Sequence, residues 1–442
     1  MDKFVISGGN KLCGEIKVSG AKNVAMKVIL TGLLTNQPIY VSNIPLIDSV
    51  YGSAKILNSL GVKFKFNSKH ELKILGDNKG NFMVPLEEGN LYRTATMVIG
   101  PLLARYGQAI VPNPGGCRIG KRPIDWHITA LESMGAKIKY KDGYFYAQAN
   151  HLHGTKYKFN KNTHTGTETM ILAAVLADGE TLIENAAAEP EIDNLIELLD
   201  LMGAKIKRIK PRTIVISGVK NLNGAEFEIM PDRNEVVTYA VAALATGGDI
   251  LIKGAKKEHL SAFLDKLTEI NASYVILDNE TIRFNNTNKN IKSTNLETKN
   301  HPGFMTDWQA PWALLMTQAK GTSVLHETIY EDRFSYVKEL LKMGANIRGF
   351  NPKITHPEYF YNFNWTDRTK YQYHAIKVRG PKKLHNAILE VTDLRAGATL
   401  VIGALIAKGK SIIIGIEHIE RGYEKIDEKL NKLGANIRRI HD

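Results

Sequence analysis

One short pattern recurs six times along the 442-residue chain and constrains its fold more than any other feature. Each copy joins the end of an amphipathic helix to the start of a strand, usually through Met-Gly-Ala or a close variant. The copies occupy residues 60–63, 134–137, 202–205, 270–273, 343–346 and 433–436. Their spacing is about 70 residues, which is longer than the period of common solenoid repeats. The pattern therefore predicts six α/β units packed into globular domains.

A second repeated element lies between these copies. It is a predicted helix of small and apolar residues that ends at a Gly. A strand rich in β-branched residues follows, as in residues 173–183 and 403–414. Each unit should therefore contain two helices and several strands. Single hydrophobic cores stop growing at about 250–300 residues, so six units fit two domains of three units each. The cleft between two such domains is the expected ligand site.

The last interval between copies is about 20 residues longer than the others, which predicts an insertion. The aromatic-rich segment 356–373 is the best candidate, because it contains the run Tyr359-Phe360-Tyr361 followed by Phe363 and Trp365. A long loop packed by its own aromatic side chains explains this composition most simply. Contact with a partner or a substrate is the alternative.

Polar residues gather where the small-residue helices are expected to begin. The corresponding segments are 22–23, 93–94, 165–167, 232–235, 306–309 and 392–395. Helix N-termini carry unpaired N–H groups and a partial positive charge, so several of them in one cleft would bind an anion. Lys22, Arg93, Arg233 and Arg395 would strengthen such a site. The alternative is that the Thr and Asp residues here are ordinary N-caps.

The segment 114–123 places a thiol among cations on a backbone rich in glycine. Cys117 is accompanied by Arg118, Lys121 and Arg122, which favour its thiolate and could bind phosphate or carboxylate. Three glycines and two flanking prolines predict a mobile reactive loop suited to an anionic substrate. A surface turn that happens to carry basic residues is the alternative.

Composition narrows the class of protein. No apolar run is long enough to span a bilayer and the N-terminus is not a secretory signal, so we expect a soluble, cytoplasmic protein without membrane contacts. Two cysteines and 13 scattered histidines predict neither a disulfide framework nor a metal site. The net charge of +13 suits anionic small molecules. Nucleic acid binding is not expected, because the lysines are dispersed and no RNA-reading motif is present.

The chain resembles the UDP-N-acetylglucosamine 1-carboxyvinyltransferases, a family of enolpyruvyl transferases. Eight blocks carry the resemblance in order: 19–23, 114–123, 183–192, 231–233, 306–310, 331–334, 392–395 and 421–423. The resemblance implies two inverse α/β barrel domains, each of three βαβαββ units. The first domain would be 22–231, with the Cys loop at about 113–123. The second would combine 1–21 with 232–442 and carry the insertion near 350–375.

The resemblance also implies an activity, the transfer of the enolpyruvyl group of phosphoenolpyruvate to the 3-hydroxyl of UDP-N-acetylglucosamine with release of phosphate. This is the first committed step of peptidoglycan synthesis, which underlies cell shape and division, and fosfomycin inhibits the family. By resemblance, Lys22, Arg122 and Arg421 bind phosphoenolpyruvate, Cys117 is the general acid, and Asp307 accepts the hydroxyl proton. Asp393 and Arg395 match positions near the reacting centre.

Further positions match the substrate contacts of the family: Asn23, Arg93, Arg122, Pro123, Ile124, Asp125, Trp126, Lys161, Thr163, His164, Asp232, Thr306, Ile329 and Arg333. No metal or other cofactor is implied. The chain departs from the family pattern at Ser49, at residues 162–164 and at Glu420, so the uridine contacts transfer least directly.

Two alternative functions stay open. One is a paralogue with another acceptor, such as the shikimate 3-phosphate of the sister synthase. The other is a non-catalytic or nucleic-acid-binding relative.

Overall fold

The strands form six similar sheets, one for each repeat of the sequence. The computed structural model describes residues 2–77, 80–113, 119–286 and 290–441. In these ranges, five sheets have four strands and one has three. Each four-stranded sheet combines one parallel pair with two antiparallel pairs. In the three-stranded sheet, an isolated parallel bridge between Met83 and Ile110 stands where the other sheets have their fourth strand.

The strands are β1 (Lys3–Gly8), β2 (Cys13–Lys17), β3 (Ile39–Ser42), β4 (Val62–Phe66), β5 (Leu72–Gly76), β6 (Gln108–Pro112), β7 (Lys137–Lys141), β8 (Tyr144–Gln148), β9 (Lys156–Lys158), β10 (Glu180–Glu184), β11 (Lys205–Lys210), β12 (Thr213–Ser217), β13 (Glu226–Glu228), β14 (Asp249–Lys253), β15 (Ser273–Ile276), β16 (Thr281–Asn285), β17 (Leu296–Glu297), β18 (Gly321–His326), β19 (Asn346–Phe350), β20 (Ala375–Gly380), β21 (Ile388–Glu390), β22 (Gly409–Ile414) and β23 (Ile437–Ile440).

The α-helices are α1 (Lys22–Val28), α2 (Asp48–Ser59), α3 (Leu86–Gly89), α4 (Thr94–Met97), α5 (Ile99–Tyr106), α6 (Asp125–Ser133), α7 (His164–Ala174), α8 (Pro190–Leu201), α9 (Arg233–Thr246), α10 (Ser261–Glu269), α11 (Gln309–Met316), α12 (Val337–Lys342), α13 (Pro357–Phe360), α14 (Leu394–Ile406), α15 (Glu417–Glu420) and α16 (Ile426–Lys432). Among the described residues, 3₁₀ helices span Ile29–Leu33, Lys257–Leu260, Thr306–Trp308 and Trp365–Asp367. None of the helices in the described part of the chain is long and apolar enough to cross a bilayer.

The chain divides into two units with separate hydrophobic cores. The N-terminal unit contains the described residues of 20–113 and 123–230, with sheet orders β13-β3-β5-β4, β6-β8-β7 and β11-β12-β10-β9. The C-terminal unit contains residues 2–19, 119–122 and 231–441, with sheet orders β15-β16-β14-β2, β17-β18-β20-β19 and β21-β22-β1-β23. The N-terminal strands β1 and β2 therefore belong to sheets made mainly of C-terminal residues.

In each unit, helices made of small and apolar residues lie inside the sheets. In the C-terminal unit, α9, α11 and α14 pack against one another, and nearly all their residues are buried. In the N-terminal unit, α5 packs against α7 and the 3₁₀ helix Ile29–Leu33. Strands such as β10 alternate between buried and more exposed residues, as expected for one face packed on the core. The predicted α/β class with a six-fold internal repeat is confirmed.

The backbone explains the repeated pattern that opens each strand. The second residue of every copy has a positive φ, at Gly61, Gly135, Gly203, Asn271, Gly344 and Gly434. This left-handed conformation ends the preceding helix, and only Gly and Asn adopt it readily. Asn271 has a φ of 59° and so replaces Gly without changing the turn.

The insertion lies between β19 and β20 and is packed by its own aromatic side chains. Tyr361 and Phe363 are 1% and 5% exposed. Tyr361 stacks on Trp365 with ring centroids 4.9 Å apart and an interplanar angle of 10°. Tyr359 and Tyr371, by contrast, are more than 80% exposed. The segment is thus a compact loop whose aromatic core holds the 3₁₀ helix Trp365–Asp367 in place.

Candidate functional site

Two carboxylates and two guanidinium groups form a cluster in the C-terminal unit. Arg333 contacts Asp307 at 2.7 Å and Asp393 at 3.3 Å, and Arg395 Nε lies 3.5 Å from the second oxygen of Asp307. The side chains of Arg333, Arg395 and Asp393 are at most 5% exposed, whereas that of Asp307 is 24% exposed. Asp307 is therefore the member that solvent or a ligand can reach.

Both arginines of this cluster are held in the charged form. Burial alone would lower the pKa of Arg333, but Asp393 and Asp307 outweigh it and raise that pKa above its usual value. Burial acts in the same way on Arg395, and Tyr423 and Asp307 again raise its pKa. Asp307 thus lies beside two permanent positive charges.

Asp393 and Asp232 each cap the helix that follows. Asp393 accepts a hydrogen bond from the backbone N–H of Arg395 at 3.0 Å, and Asp232 accepts one from that of Asn234 at 2.7 Å. The N-cap interpretation is therefore correct for both residues, and Asp393 is also a partner of Arg333. A cation in the first turn opposes the helix dipole, but the carboxylates near Arg395 offset that cost.

Arg233, one of the cations that the sequence suggests for an anion site, is buried at the start of α9. The side chain is 2% exposed and its guanidinium lies 5.6 Å from the ring centroid of Trp308. One of its nitrogens lies 3.1 Å from Nδ1 of His301. These contacts place Arg233, at the start of α9, against Trp308 and His301.

Glu327 organises this cluster, although sequence reasoning did not identify it. Its buried carboxylate accepts hydrogen bonds from Thr306 at 2.9 Å and from the backbone N–H of Ile329 at 2.8 Å. It also accepts one from Gln309 at 3.2 Å. Burial raises the pKa of Glu327 above its usual range, although these donors and Arg333 oppose the shift. The residue follows β18 directly and lies in none of the matched blocks, so no signal in the sequence marked it.

Residues 119–122 belong to the C-terminal unit through contacts with the turn 330–332. The backbone N–H of Lys121 donates to Glu331, and that of Asp332 donates to the carbonyl of Ile119 at 3.3 Å. The guanidinium of Arg122 lies 5.9 Å from the ring centroid of Tyr330. Arg122 therefore lies beside the turn 330–332 of the same unit. Cys117 lies outside the described residues, so its role stays a prediction from the sequence.

Arg421 lies at the C-terminal end of α15 and is half-buried. The preceding Glu420, one of the departures from the family pattern, pairs with Arg439 at 2.6 Å. This pair ties α15 to β23, where Arg439 also contacts Asp427. The side chain of Glu420 therefore holds α15 against β23, and Arg421 follows directly at the end of that helix.

In the N-terminal unit, Lys22 and Asn23 form the first turn of α1. The helix begins without a side-chain cap, and the backbone N–H of Ala21 instead donates to Met230 at 2.7 Å. Lys22 and Asn23 are both half-buried. A lysine in the first turn opposes the helix dipole, as Arg395 does in α14.

A second group in the N-terminal unit joins the start of α4, α6 and α7. Arg93 donates to the carbonyl of Pro123 at 3.3 Å, and His127 Nε2 lies 2.9 Å from Thr165 Oγ1. Thr163 caps α7 by accepting from the backbone N–H of Gly166. The structure therefore brings together most predicted nucleotide-sugar residues of this unit: Arg93, Pro123, Ile124, Asp125, Trp126, Thr163 and His164. Lys161 comes two residues before the cap of α7.

A buried charged network supports the first turns of α7. Glu168 is fully buried and lies 3.1 Å from Lys27 Nζ and 3.3 Å from His164 Nδ1. Burial by itself lowers the pKa of His164, but the carboxylate of Glu168 outweighs it, so the pKa of His164 is raised above its usual value. His164 thus carries positive charge to a higher pH than an ordinary histidine, at the start of a helix expected to contact the substrate.

We expect the Glu168→Gln variant to be destabilised by about 3–5 kcal/mol, because it leaves the ammonium of Lys27 buried without a counterion. The double variant Lys27→Met/Glu168→Leu removes both charges and should lose much less stability. Urea unfolding followed by circular dichroism measures both free energies of unfolding. Equal destabilisation of the two variants would contradict a buried ion pair at this position.

The comparisons with known proteins extend over the whole chain. A family model described as EPSP synthase (3-phosphoshikimate 1-carboxyvinyltransferase) matches residues 6–430. A UDP-N-acetylglucosamine 1-carboxyvinyltransferase of Koribacter versatilis is 41% identical, covering 100% of this chain and 97% of the relative. Proteins of the same name are 40% identical in Acidobacterium capsulatum, covering 100% and 96%, and 39% identical in Hydrogenovibrio crunogenus, covering 100% of both chains.

Solved structures share the fold at lower sequence identity. The enolpyruvyl transferase NikO from Streptomyces tendae superposes with a TM-score of 0.86 at 21% identity, covering 99% of this chain and 98% of that one. An EPSP synthase from Acinetobacter baumannii gives a TM-score of 0.73 at 18% identity, covering 100% of both chains. At these identities the likeness concerns the fold alone.

Proposed function

Because the chain belongs to the enolpyruvyl transferase family described by the EPSP synthase model, we propose that it transfers an enolpyruvyl group. The donor is phosphoenolpyruvate, and the acceptor is the 3-hydroxyl of UDP-N-acetylglucosamine, the substrate in the name of the relatives with 39–41% identity. The observation that carries this proposal is the partly exposed carboxylate of Asp307, held between Arg333 and Arg395.

The reaction consists of an addition followed by an elimination. The acceptor oxygen bonds to C2 of phosphoenolpyruvate, the hydroxyl proton leaves, and a proton is added to the methylene carbon. The C–O bond to phosphate then breaks, and the new methyl group loses a proton, which restores the double bond in the enolpyruvyl ether. General acid and base groups are therefore needed at two positions. We assign the base to Asp307 and the acid to Cys117.

The cluster in the C-terminal unit suits Asp307 for this role. Arg333 and Arg395 fix the carboxylate by contacts at 2.7 and 3.5 Å, so it need not reorganise to meet a hydroxyl group. Asp393 neutralises part of the charge of Arg333 and caps α14. Its proposed task is to hold Arg395 and Arg333 in place, while Arg395 offers positive charge near the reacting centre.

The phosphate and carboxylate of phosphoenolpyruvate require several cations. We assign Lys22, Arg122 and Arg421 to this task. A guanidinium fork binds either group of the substrate through two parallel hydrogen bonds. The guanidinium of Arg122 lies 5.9 Å from the ring centroid of Tyr330, within the range of a cation–π contact.

For the nucleotide sugar we assign the remaining matched positions. In the N-terminal unit these are Asn23, Arg93, Pro123, Ile124, Asp125, Trp126, Lys161, Thr163 and His164. In the C-terminal unit they are Asp232, Thr306, Ile329 and Arg333. The raised pKa of His164 supports a role beside an anionic group such as a diphosphate. The proposal includes peptidoglycan synthesis and a place in the cytoplasm, where UDP-sugars are made and consumed.

Phosphate release from phosphoenolpyruvate, measured with each of two acceptors, tests this function. We expect release that depends on UDP-N-acetylglucosamine and none above background with shikimate 3-phosphate. The reverse preference would assign the chain to the sister activity named by the family model. No release with either acceptor would favour a non-catalytic relative.

Fosfomycin should alkylate Cys117 and leave Cys13 largely unmodified. The basic residues beside Cys117 favour its thiolate, which is the reactive form. Cys13 is a free, exposed thiol on β2 and serves as an internal control for simple accessibility. Peptide mapping by mass spectrometry distinguishes the two sites, and labelling of Cys13 alone would contradict the assignment of Cys117.

A further inference from the structure

The insertion between β19 and β20 supplies a side chain that contacts the segment carrying Arg122. Asp367, the last residue of the 3₁₀ helix Trp365–Asp367, lies 3.1 Å from Lys121 Nζ. The side chain of Asp367 is 22% exposed and that of Lys121 is 63% exposed. The ion pair therefore joins a well-packed carboxylate to an ammonium group that would otherwise extend into solvent.

The residues near Asp367 in sequence belong to the aromatic core of the insertion. Trp365, two residues before Asp367, stacks on Tyr361. The guanidinium of Arg368, the residue after Asp367, lies 4.0 Å from the ring centroid of Trp365. Phe363 and His374 pack around the same rings. The backbone that carries Asp367 is thus part of a packed segment, which lowers the entropic cost of forming the pair with Lys121.

The backbone of the same segment is held from a second direction. Glu331 accepts the backbone N–H of Lys121, and a Cβ at Gly120 would overlap its carboxylate. Gly120 has a φ of 139°, and Arg122 has a φ of 49°, a left-handed conformation that an arginine rarely adopts. Such a conformation persists only where surrounding contacts maintain it.

We propose that Asp367 is a positioning residue for the donor substrate. By holding the ammonium of Lys121 while Glu331 holds its backbone, Asp367 keeps Arg122 in its left-handed conformation over Tyr330. The guanidinium is then oriented for the anionic groups of phosphoenolpyruvate before that substrate binds. The expected effect on the KM for phosphoenolpyruvate rests on the proposed function. The ion pair between Asp367 and Lys121 can be tested in a protein without any activity.

The kinetic test compares Asp367→Asn with the wild-type enzyme. We expect the KM for phosphoenolpyruvate to rise about three- to fivefold, because the substitution removes one partly exposed ion pair and such pairs contribute little free energy. The KM for UDP-N-acetylglucosamine and kcat should stay within about twofold. Asp367→Glu should restore most of the loss, and 1 M KCl should shrink the difference between wild type and Asp367→Asn, because salt screens exposed pairs. Glu358→Gln removes one charge elsewhere on the insertion and should change nothing.

A double-mutant cycle shows whether Asp367 acts through Lys121. Lys121→Gln should raise the KM for phosphoenolpyruvate by a similar factor, and adding Asp367→Asn should cause no further rise. Additive effects, or equal changes in both KM values, would overturn the proposal, since they indicate a general structural role for Asp367.

Hydrogen exchange separates this inference from the proposed function. Backbone amides of residues 119–122 should exchange several-fold faster in Asp367→Asn than in wild type or Glu358→Gln, with or without substrates. Unchanged exchange would overturn the anchoring contact even in an active enzyme. Faster exchange in a protein that lacks transferase activity would leave the contact intact and refute the proposed function instead.

Discussion

Asp307→Asn is expected to lower kcat about 10²–10⁴-fold, the usual contribution of a general acid or base. The amide has the same shape as the carboxylate but cannot take the proton of an acceptor hydroxyl. Arg333 keeps Asp393 as a partner at 3.3 Å, so the cluster should survive the loss of one charge. Steady-state phosphate release with both substrates saturating measures the effect.

Asp265→Asn provides the matched control for this substitution. Asp265 is an exposed residue of α10 in the same unit, so its neutralisation should change kcat less than twofold. The affinity of Asp307→Asn for UDP-N-acetylglucosamine, measured by calorimetry, should remain within about tenfold of wild type. Turnover by Asp307→Asn within threefold of wild type would remove Asp307 from the role of base.

Arg421→Lys is expected to lower kcat/KM for phosphoenolpyruvate by about tenfold to a thousandfold, which corresponds to roughly 1.4–4 kcal/mol of transition-state stabilisation. A lysine keeps the positive charge but cannot form the two parallel hydrogen bonds of a guanidinium to phosphate or carboxylate. The thermal midpoint should change little, because the Arg439–Glu420 pair that ties α15 to β23 is kept in this variant.

Arg438→Lys makes the same chemical change at an exposed position of β23 in the same unit and should leave kinetics unchanged. If Arg421→Lys behaves like this control, Arg421 belongs to the surface and does not bind the donor. A loss confined to the KM for UDP-N-acetylglucosamine would instead place Arg421 at the acceptor.

Much of the fold follows from the sequence because the same physical requirement recurs in every unit. A left-handed residue must follow the helix that precedes each copy of the repeated pattern, which selects Gly or Asn at 61, 135, 203, 271, 344 and 434. Helices enclosed on all sides must be built from small apolar residues, as in α9 and α14. These local rules do not depend on distant contacts, so a single sequence expresses them.

The candidate site was only partly predictable, because its geometry depends on contacts between distant segments. Asp307, Arg333, Asp393 and Arg395 were found through matched blocks, but nothing in the sequence showed that they form one cluster. Glu327 lies in no such block, and its role arises only when β18 places it beside Thr306. The pairing of Lys121 with Asp367 joins residues 246 positions apart, so no periodicity could reveal it.

The identity of the product tests the central claim most directly. Purified protein is incubated with phosphoenolpyruvate labelled with ¹³C at C2 and C3 and an equimolar mixture of UDP-N-acetylglucosamine and shikimate 3-phosphate, and the products are analysed by NMR. We expect a labelled enolpyruvyl ether on the 3-oxygen of N-acetylglucosamine, formed together with one equivalent of phosphate and about 10²–10⁴-fold more slowly when Asp307 is replaced by Asn. An ether on shikimate 3-phosphate, or recovery of both acceptors unchanged, would contradict it.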